Sequence, residues 1–391
     1  MPRKSTTRRA QGEGTIRQRK DGTWEARYTL GRDPGTGKQI QKSVYGATQK
    51  DVRQKLQQIA QAIDEGTYFE PTKMTVAGWM NVWLKDYLGN VKAGTVANYS
   101  RHVNNHIIPA LGAMKLSALQ PPQIQQLYNA LQDKGLSAKT IKNLHGCIHK
   151  ALDVAVRIGY LKTNPSEACI LPRIVKKEIR PLDTPEISDF LNAIKGHKYE
   201  TLFKVDVFTG LRSGEILGLT WDCVDFDAGT LYICKQLMPP RMKGQKYAFG
   251  TPKNDKARTI RPAPYVMQVL KEHKIKQLEQ RLHAGAAWDD CGFPNLVFTN
   301  EFGRHLTQSG VWKMLQKALR DSSIENLRFH DLRHTYAVTS IHSGDDIKTV
   351  QENLGHHTAA FTLDQYGHVT ETMRRDSADR MQAFIKAIPN A

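Results

Sequence analysis

No apolar run in this chain approaches the roughly 20 residues needed to cross a bilayer, so no segment reads as a membrane span. The N-terminus opens with charge where a secretory leader would carry a hydrophobic core, and the expected location is the cytosol. Cysteine is scarce: Cys147, Cys169, Cys223, Cys234 and Cys291 are an odd number, scattered, with no C-x-x-C pair. That pattern argues against a disulfide frame or a zinc site and for reduced thiols acting as small buried hydrophobes. No internal repeat is visible. Acidic residues are under-represented, 38 Asp+Glu against 56 Lys+Arg, which leaves a formal charge of +18. Hydrophobic and charged fractions of 40% and 24% are ordinary, which excludes wholesale disorder and a collagen-like fibre. A length of 391 residues argues for two or three domains.

The positive charge is spread along the chain. Residues 1–73 hold 15 basic against 8 acidic side chains, residues 74–172 hold 10 against 4, and residues 173–391 hold 31 against 26. A surplus in every segment favours a long polyanion touched along the whole molecule over a merely soluble cationic protein, because each neutralised phosphate releases condensed counterions.

Residues 1–12 lack apolar periodicity and read as a basic flexible arm. Over residues 13–70, three short alternating stretches are separated by Asp21-Gly22 and by Asp33-Pro34-Gly35-Thr36-Gly37, the signal for a three-stranded meander. Thr48 and Asp51 then open a helix whose Val52, Leu56, Ile59 and Ile63 recur at helical spacing. Arg17, Arg19, Arg27 and Lys42 interleave with Trp24 and Tyr28 on the strands, either as a basic and aromatic surface for nucleic acid or as solvated strand faces around a core tryptophan. After a first linker at 70–73, residues 74–172 read as an all-α bundle with helices near 74–88, 93–107, 123–132 and 138–157. Lys92, Arg101, Lys139, Lys142 and Lys150 could line one face of it, or be ordinary solvated positions. The stretch 171–181 combines Pro172 and Pro181 with a run of cations, and residues 173–183 read as a second linker. A helix begins at Thr184, with Pro185 in the first helical position and Glu186 near its positive end. Residues 184–391 read as a mainly-α mixed α/β domain with short strands near 231–234 and 257–262.

Three clusters in that last domain set polar groups on apolar elements: Thr209-Gly210-Leu211-Arg212-Ser213-Gly214-Glu215, Phe329-His330-Asp331-Leu332-Arg333-His334-Thr335, and Leu354-Gly355-His356-His357 with Tyr366 downstream. Arg212 enters an apolar helix at a glycine-flanked bend, where an unpaired guanidinium would be costly, so it must meet an anion. His330 and Arg333 are three apart and share one helical face. Attack on a phosphodiester adds charge to a group already anionic, so preorganised cations and donors lower the barrier, and two guanidinium forks suit that task.

These three elements, together and in this order within one basic chain, resemble the tyrosine recombinases of the phage-integrase type, close to those encoded by conjugative transposons, and the resemblance covers nearly the whole chain. It implies that Arg212 and Arg333 clamp the scissile phosphate, that His330 and His356 donate to its oxygens, and that Tyr366 is the nucleophile. Lys253, on the turn before Arg258, matches the family's hairpin lysine, which protonates the leaving 5′-hydroxyl; Lys243, Lys246 and Lys256 lie close by, so the register could slip. Glu215 supports the helix carrying Arg212. Where the family usually has a small polar residue after the histidine this chain has His357, which is expected to be peripheral.

The implied reaction is transesterification: a covalent 3′-phosphotyrosyl link forms, a 5′-hydroxyl leaves, and no cofactor or metal is needed for rejoining. The implied function is integration and excision of a mobile element, as a homo-tetramer on double-stranded DNA, with residues 13–70 on arm-type sites, 74–172 on the core site and 184–391 as the catalytic domain. An excision factor is a further partner the resemblance allows, and a bacterial-type, nucleoid-associated cytoplasmic setting follows. In the tail 367–391, Met381, Phe384, Ile385 and Ile388 form a narrow apolar seam expected to dock on a neighbouring protomer. Three alternatives stand beside this reading: a type IB topoisomerase-like enzyme, a catalytically idle DNA-binding regulator, and a metal-dependent nuclease. Tyr366 could also be a packing residue, as Tyr336 and Tyr99 are read to be. A metal site on His330 and His334 is disfavoured, since no H-E-x-x-H frame is present and the residue sharing their face is Arg333.

Overall fold

The computed structural model describes residues 15–32, 35–64, 73–175, 180–240, 244–320, 322–324, 327–366 and 370–388. The expected arm 1–12, residues 70–72 and 176–179 of the two linkers, and Lys243 lie outside them. The chain divides into two compact units, Met1–Val175 and Lys176–Ala391, with the division inside the stretch 173–183. Among the described residues no helix is long and apolar enough to cross a membrane.

In the first unit β1 (Thr15–Gln18), β2 (Trp24–Arg32) and β3 (Gln39–Gly46) form an antiparallel meander in the order β1-β2-β3, followed by α1 (Gln49–Asp64). The helix starts where the Asp51 backbone N–H donates to Thr48 Oγ1 at 3.1 Å. Its Val52 and Leu56 pack on Ala26 and Tyr28, with Trp24, Leu30 and Val44 partly buried beside them. Successive strand residues face opposite ways, so Trp24, Ala26, Tyr28 and Leu30 share the face that α1 covers. Of the two readings of these strands this favours the core tryptophan: Tyr28 belongs to the small core with Trp24 partly buried against it, and Arg17 and Arg27 emerge on the other face.

The same unit continues into α2 (Val76–Asp86), α3 (Ala93–His102), a single wide turn (Val103–Ile107), α4 (Ile108–Leu111), α5 (Pro121–Asp133) and α6 (Ala138–Arg157). Thr75 and Ser137 cap α2 and α6 through their hydroxyls, satisfying N–H groups that a helix start leaves orphaned. Trp79, Trp83, Tyr128, Ile141, Leu144 and Ile148 fill a separate core, and the Trp79 indole N–H donates to the Ala151 carbonyl at 3.0 Å. Lys92, Arg101, Lys139 and Lys142 are exposed on the outside of α3 and α6.

The second unit opens with α7 (Thr184–Ala193), capped by Asp183 in a reciprocal pair with Glu186, so Pro185 is the second and not the first helical residue. Next come α8 (Glu200–Thr209), the one-turn α9 (Ser213–Leu217), β4 (Val224–Asp225), β5 (Thr230–Ile233), β6 (Gln236–Met238), β7 (Ala248–Gly250) and β8 (Arg258–Ile260). The strands pair as β4-β5-β8 and, separately, β6-β7. This is one long ribbon interrupted at residues 234–235 and 251–257, so Lys253 sits in the interruption and not at the ribbon's tip. The thiols of Cys223 and Cys234 meet there at 3.7 Å. The unit ends with α10 (Pro264–Ala284), α11 (Gln308–Ala318), α12 (Phe329–His342), α13 (Ile347–Leu354), α14 (Ala359–Tyr366) and α15 (Thr370–Lys386). A large core under α8, α9 and the ribbon and a small cluster of Ala337, Ile341, Val350, Leu354 and Tyr366 hold α12 to α14 in place.

Candidate active site

Two helices end on glycine in the left-handed conformation, Gly210 after α8 (φ 60°) and Gly355 after α13 (φ 63°). A side chain is excluded at both: a Cβ on Gly210 would lie 2.6 Å from the Tyr336 ring, and one on Gly355 would lie 2.9 Å from Arg258 Nη1. The chain reversal at each glycine aims helix C-terminal carbonyls at a common point, and such carbonyls carry partial negative charge.

Two arginines occupy that point. Arg333, only 2% exposed, donates to the Gly210 carbonyl at 2.7 Å and the Leu354 carbonyl at 2.6 Å. Arg212 donates to the next carbonyl, Gly355, at 2.8 Å and to Glu215 Oε1 at 2.7 Å. Burial, and then the charge of Arg212, pull Arg333 down to about 9, which leaves it protonated at neutral pH. Glu215 is buried and also takes two bonds from Arg258, at 2.7 and 3.1 Å. Burial alone would raise its pKa; hydrogen bonding and charge from Arg258, then the charge of Arg212, outweigh that and hold it at about 2. Arg258 completes the brace by donating to the Asn353 carbonyl at 2.8 Å. Glu215 is thus an anion between two guanidinium groups and a support for both.

The remaining groups stand around the arginine pair. His356 follows Gly355, and its Nδ1 lies 2.9 Å from Thr362 Oγ1. Burial and the two arginines push it down to about 3, so its ring is neutral. His330 is exposed on α12, yet partial loss of water, with His334 and Arg333 beside it, pushes it down to about 4. Two neutral imidazoles beside two guanidinium groups can donate hydrogen bonds without adding charge repulsion. Tyr366, 4% exposed, bonds through its hydroxyl to His334 Nδ1 at 2.7 Å, and its ring lies parallel to His356 with centroids 6.4 Å apart. Burial pushes the phenol up to about 12, a rise that the nearby Arg333 opposes. The turn carrying Lys253 is tied in by Asn254, which donates to the Gly355 carbonyl at 3.2 Å. Lys256 lies on the same turn, Lys246 between β6 and β7, and His357 is exposed.

Arg212, Arg333, His330, His356 and Tyr366 therefore converge, with Lys253 on an adjoining turn. Arg258 and His334 were not assigned a site role from the sequence. His334 carried a local signal, one turn from His330; Arg258 carried none, because its partner Glu215 lies on another element. Asp206 on α8 is a third addition: it is fully buried, and neither carboxylate oxygen has a hydrogen-bond partner. Burial raises its pKa well above the ordinary value, against the pull of Arg333.

Among the DNA-contact candidates, Arg17 and Arg27 are bound to Glu25 at 2.6 and 3.2 Å, and Arg19 lies over the Tyr45 ring at 5.3 Å. Met381, Phe384, Ile385 and Ile388 are 59%, 63%, 42% and 44% exposed among the described residues.

Comparison with known proteins gives matches across both units. Residues 179–373 match the model of the Phage integrase family, and residues 75–132 match the phage integrase N-terminal SAM-like domain. A Tyrosine recombinase XerC-like protein of Caldanaerobacter subterraneus subsp. tengcongensis is 32% identical, over 90% of this chain and 94% of its own. The Tn1549 transposon integrase, solved in complex with a circular intermediate DNA, superposes with a TM-score of 0.67 at 23% identity, over 79% of this chain and 100% of that one. A lambda integrase tetramer bound to a Holliday junction gives 0.58 at 18% identity, over 91% and 96%.

Proposed function

The chain belongs to the phage integrase family of tyrosine recombinases and is a site-specific recombinase that cuts and rejoins DNA; from that premise we propose which residues do the chemistry. Tyr366 attacks the scissile phosphate and forms the 3′-phosphotyrosyl link. Arg212 and Arg333 take its non-bridging oxygens, exchanging helix-end carbonyls for phosphate, and neutral His330 and His356 donate beside them. Lys253 protonates the leaving 5′-oxygen. Glu215 and Arg258 hold Arg212 in place. The observation that carries this reading is the convergence of Arg212 and Arg333, from separate elements, on adjacent carbonyls of the Leu354-Gly355-His356 turn. A cationic pocket preorganised in this way is what a phosphoryl transition state needs.

On the same reading, residues 13–70 bind arm-type sites, 74–172 hold the core site through faces including Lys92, Arg101, Lys139 and Lys142, and 184–391 catalyse. The enzyme works on double-stranded DNA in a bacterial-type cytoplasm. It assembles as a tetramer in which the seam of Met381, Phe384, Ile385 and Ile388 docks on a neighbour. Exposure of all four side chains supports that docking, and a chain cut after Gly367 should bind single sites but lose synaptic assembly on native gels. Full assembly by the truncated chain would defeat the docking proposal.

The central assignment is tested by incubating the protein, in chelator, with nicked duplexes from the ends of its own element, denaturing, and sequencing the DNA-linked peptide by mass spectrometry. A nucleotide on the Tyr366 peptide is expected, and none with Tyr366→Phe. A denaturation-resistant adduct in Tyr366→Phe would overturn it.

A further inference from the structure

We propose that His334 is a catalytic residue, the base that takes the phenolic proton of Tyr366 as the tyrosine attacks. The inference rests on Tyr366 being the nucleophile and adds the destination of its proton. Tyr366 Oη and His334 Nδ1 are 2.7 Å apart, with both side chains buried, so the phenol meets an imidazole nitrogen away from bulk water. With the ring proton on Nε2, Nδ1 is the acceptor and the phenol donates. His334 directly follows Arg333 on α12, so the proton acceptor and one phosphate clamp ride on the same rigid helix while the nucleophile arrives from α14.

The groups facing His334 keep its ring neutral and supply one carboxylate that can steady the cation formed on transfer. From its own helix and cap these are Arg328, His330, Asp331 and Arg333; from α14 it meets Tyr366, and His356 lies beyond. Burial holds His334 below its ordinary value, so the ring is neutral and able to accept, and the Asp331 carboxylate stabilises the imidazolium that forms. A phenol pushed up to about 12 is ionised to only about one part in 10⁵ at pH 7, so it needs an acceptor in contact. The step balances. The Oη–H bond breaks and its proton goes to Nδ1; Oη bonds to phosphorus; the P–O5′ bond breaks, and O5′ takes a proton from Lys253. Rejoining runs the same transfers backwards.

The test is single-turnover formation of the Tyr366–DNA adduct on a nicked duplex from the ends of the element, followed across pH. In the wild-type chain the rate should rise with pH below neutrality and then level off as His334 loses its proton. His334→Asn retains an acceptor near the Nδ1 position but cannot be protonated. It should bind DNA normally, form adduct roughly 10²-fold more slowly at neutral pH, and regain about tenfold per pH unit as the phenol ionises unaided. A 5′-bridging phosphorothiolate, whose sulfur leaves without an acid, should rescue Lys253→Ala and not His334→Asn. A wild-type rate that climbs log-linearly through neutral pH would overturn the proposal without any variant; so would a His334→Asn rate and profile like wild type, or rescue of that variant by sulfur. Absence of any Tyr366 adduct in the wild-type chain would instead sink the nucleophile assignment itself.

Discussion

Two glutamates in this molecule each sit between two arginines, and only one of them organises a site. Glu25, on the sheet of the first unit, accepts from Arg17, Arg27 and Ser43, at 2.8 Å for the serine. Glu215, in the second, accepts from Arg212 and Arg258. Both carboxyls are held down at about 2, Glu25 chiefly by Ser43 and Arg17. The difference lies in the cations. The arginines beside Glu25 are 56% and 49% exposed, and those beside Glu215 are 18% and 12% exposed. Exposed guanidinium groups are already solvated and screened, so their pairing adds little stability; the inner pair has exchanged water for Glu215 and helix-end carbonyls, and depends on both.

Glu215→Gln is the sharpest way to break the comparison. Removing the anion leaves two part-buried cations with only carbonyl partners, and we expect a loss of roughly 3–5 kcal/mol in urea unfolding of the second unit, together with loss of adduct formation. Adduct formation at wild-type rate would mean that Arg212 needs no brace. Next in size is the acid limb. The folded pKa of Glu215 lies below its usual 4.5, so its stabilisation is fully present above about 4.5 and is lost as pH falls toward 2. That contribution is on the order of 3 kcal/mol by linkage and should vanish from the pH–stability curve of Glu215→Gln. The smallest effect is expected at the surface pair. Glu25→Gln should leave the thermal midpoint unchanged while freeing Arg17 and Arg27, so that DNA affinity rises and the salt dependence of binding steepens slightly. A clear fall in midpoint would show that the open-face network carries stability after all.

Much of this site is written in local sequence. Gly210 and Gly355 stop helices, Asp183, Thr75 and Ser137 start them, and the three-residue step from His330 to Arg333 sets both on one face; each depends on neighbours a turn away. The strand alternation that turns Trp24 and Tyr28 toward α1 is equally local, and period two along the strand is its signal. What was illegible involved partners distant in sequence. Nothing near Arg258 announces Glu215, nothing near His334 announces Tyr366, and the burial of Asp206 follows only once α8 is covered.

The sequence by itself determined the candidate site residues, their order, and the turns that expose helix ends, because motifs and turns are matters of short-range spacing and backbone sterics. Only the tertiary structure decided that two arginines share one row of carbonyls, that Glu215 is braced from a strand as well as a helix, and that Tyr366 rests against His334. Burial and charge pairing fix those arrangements, and both exist only after distant segments have packed.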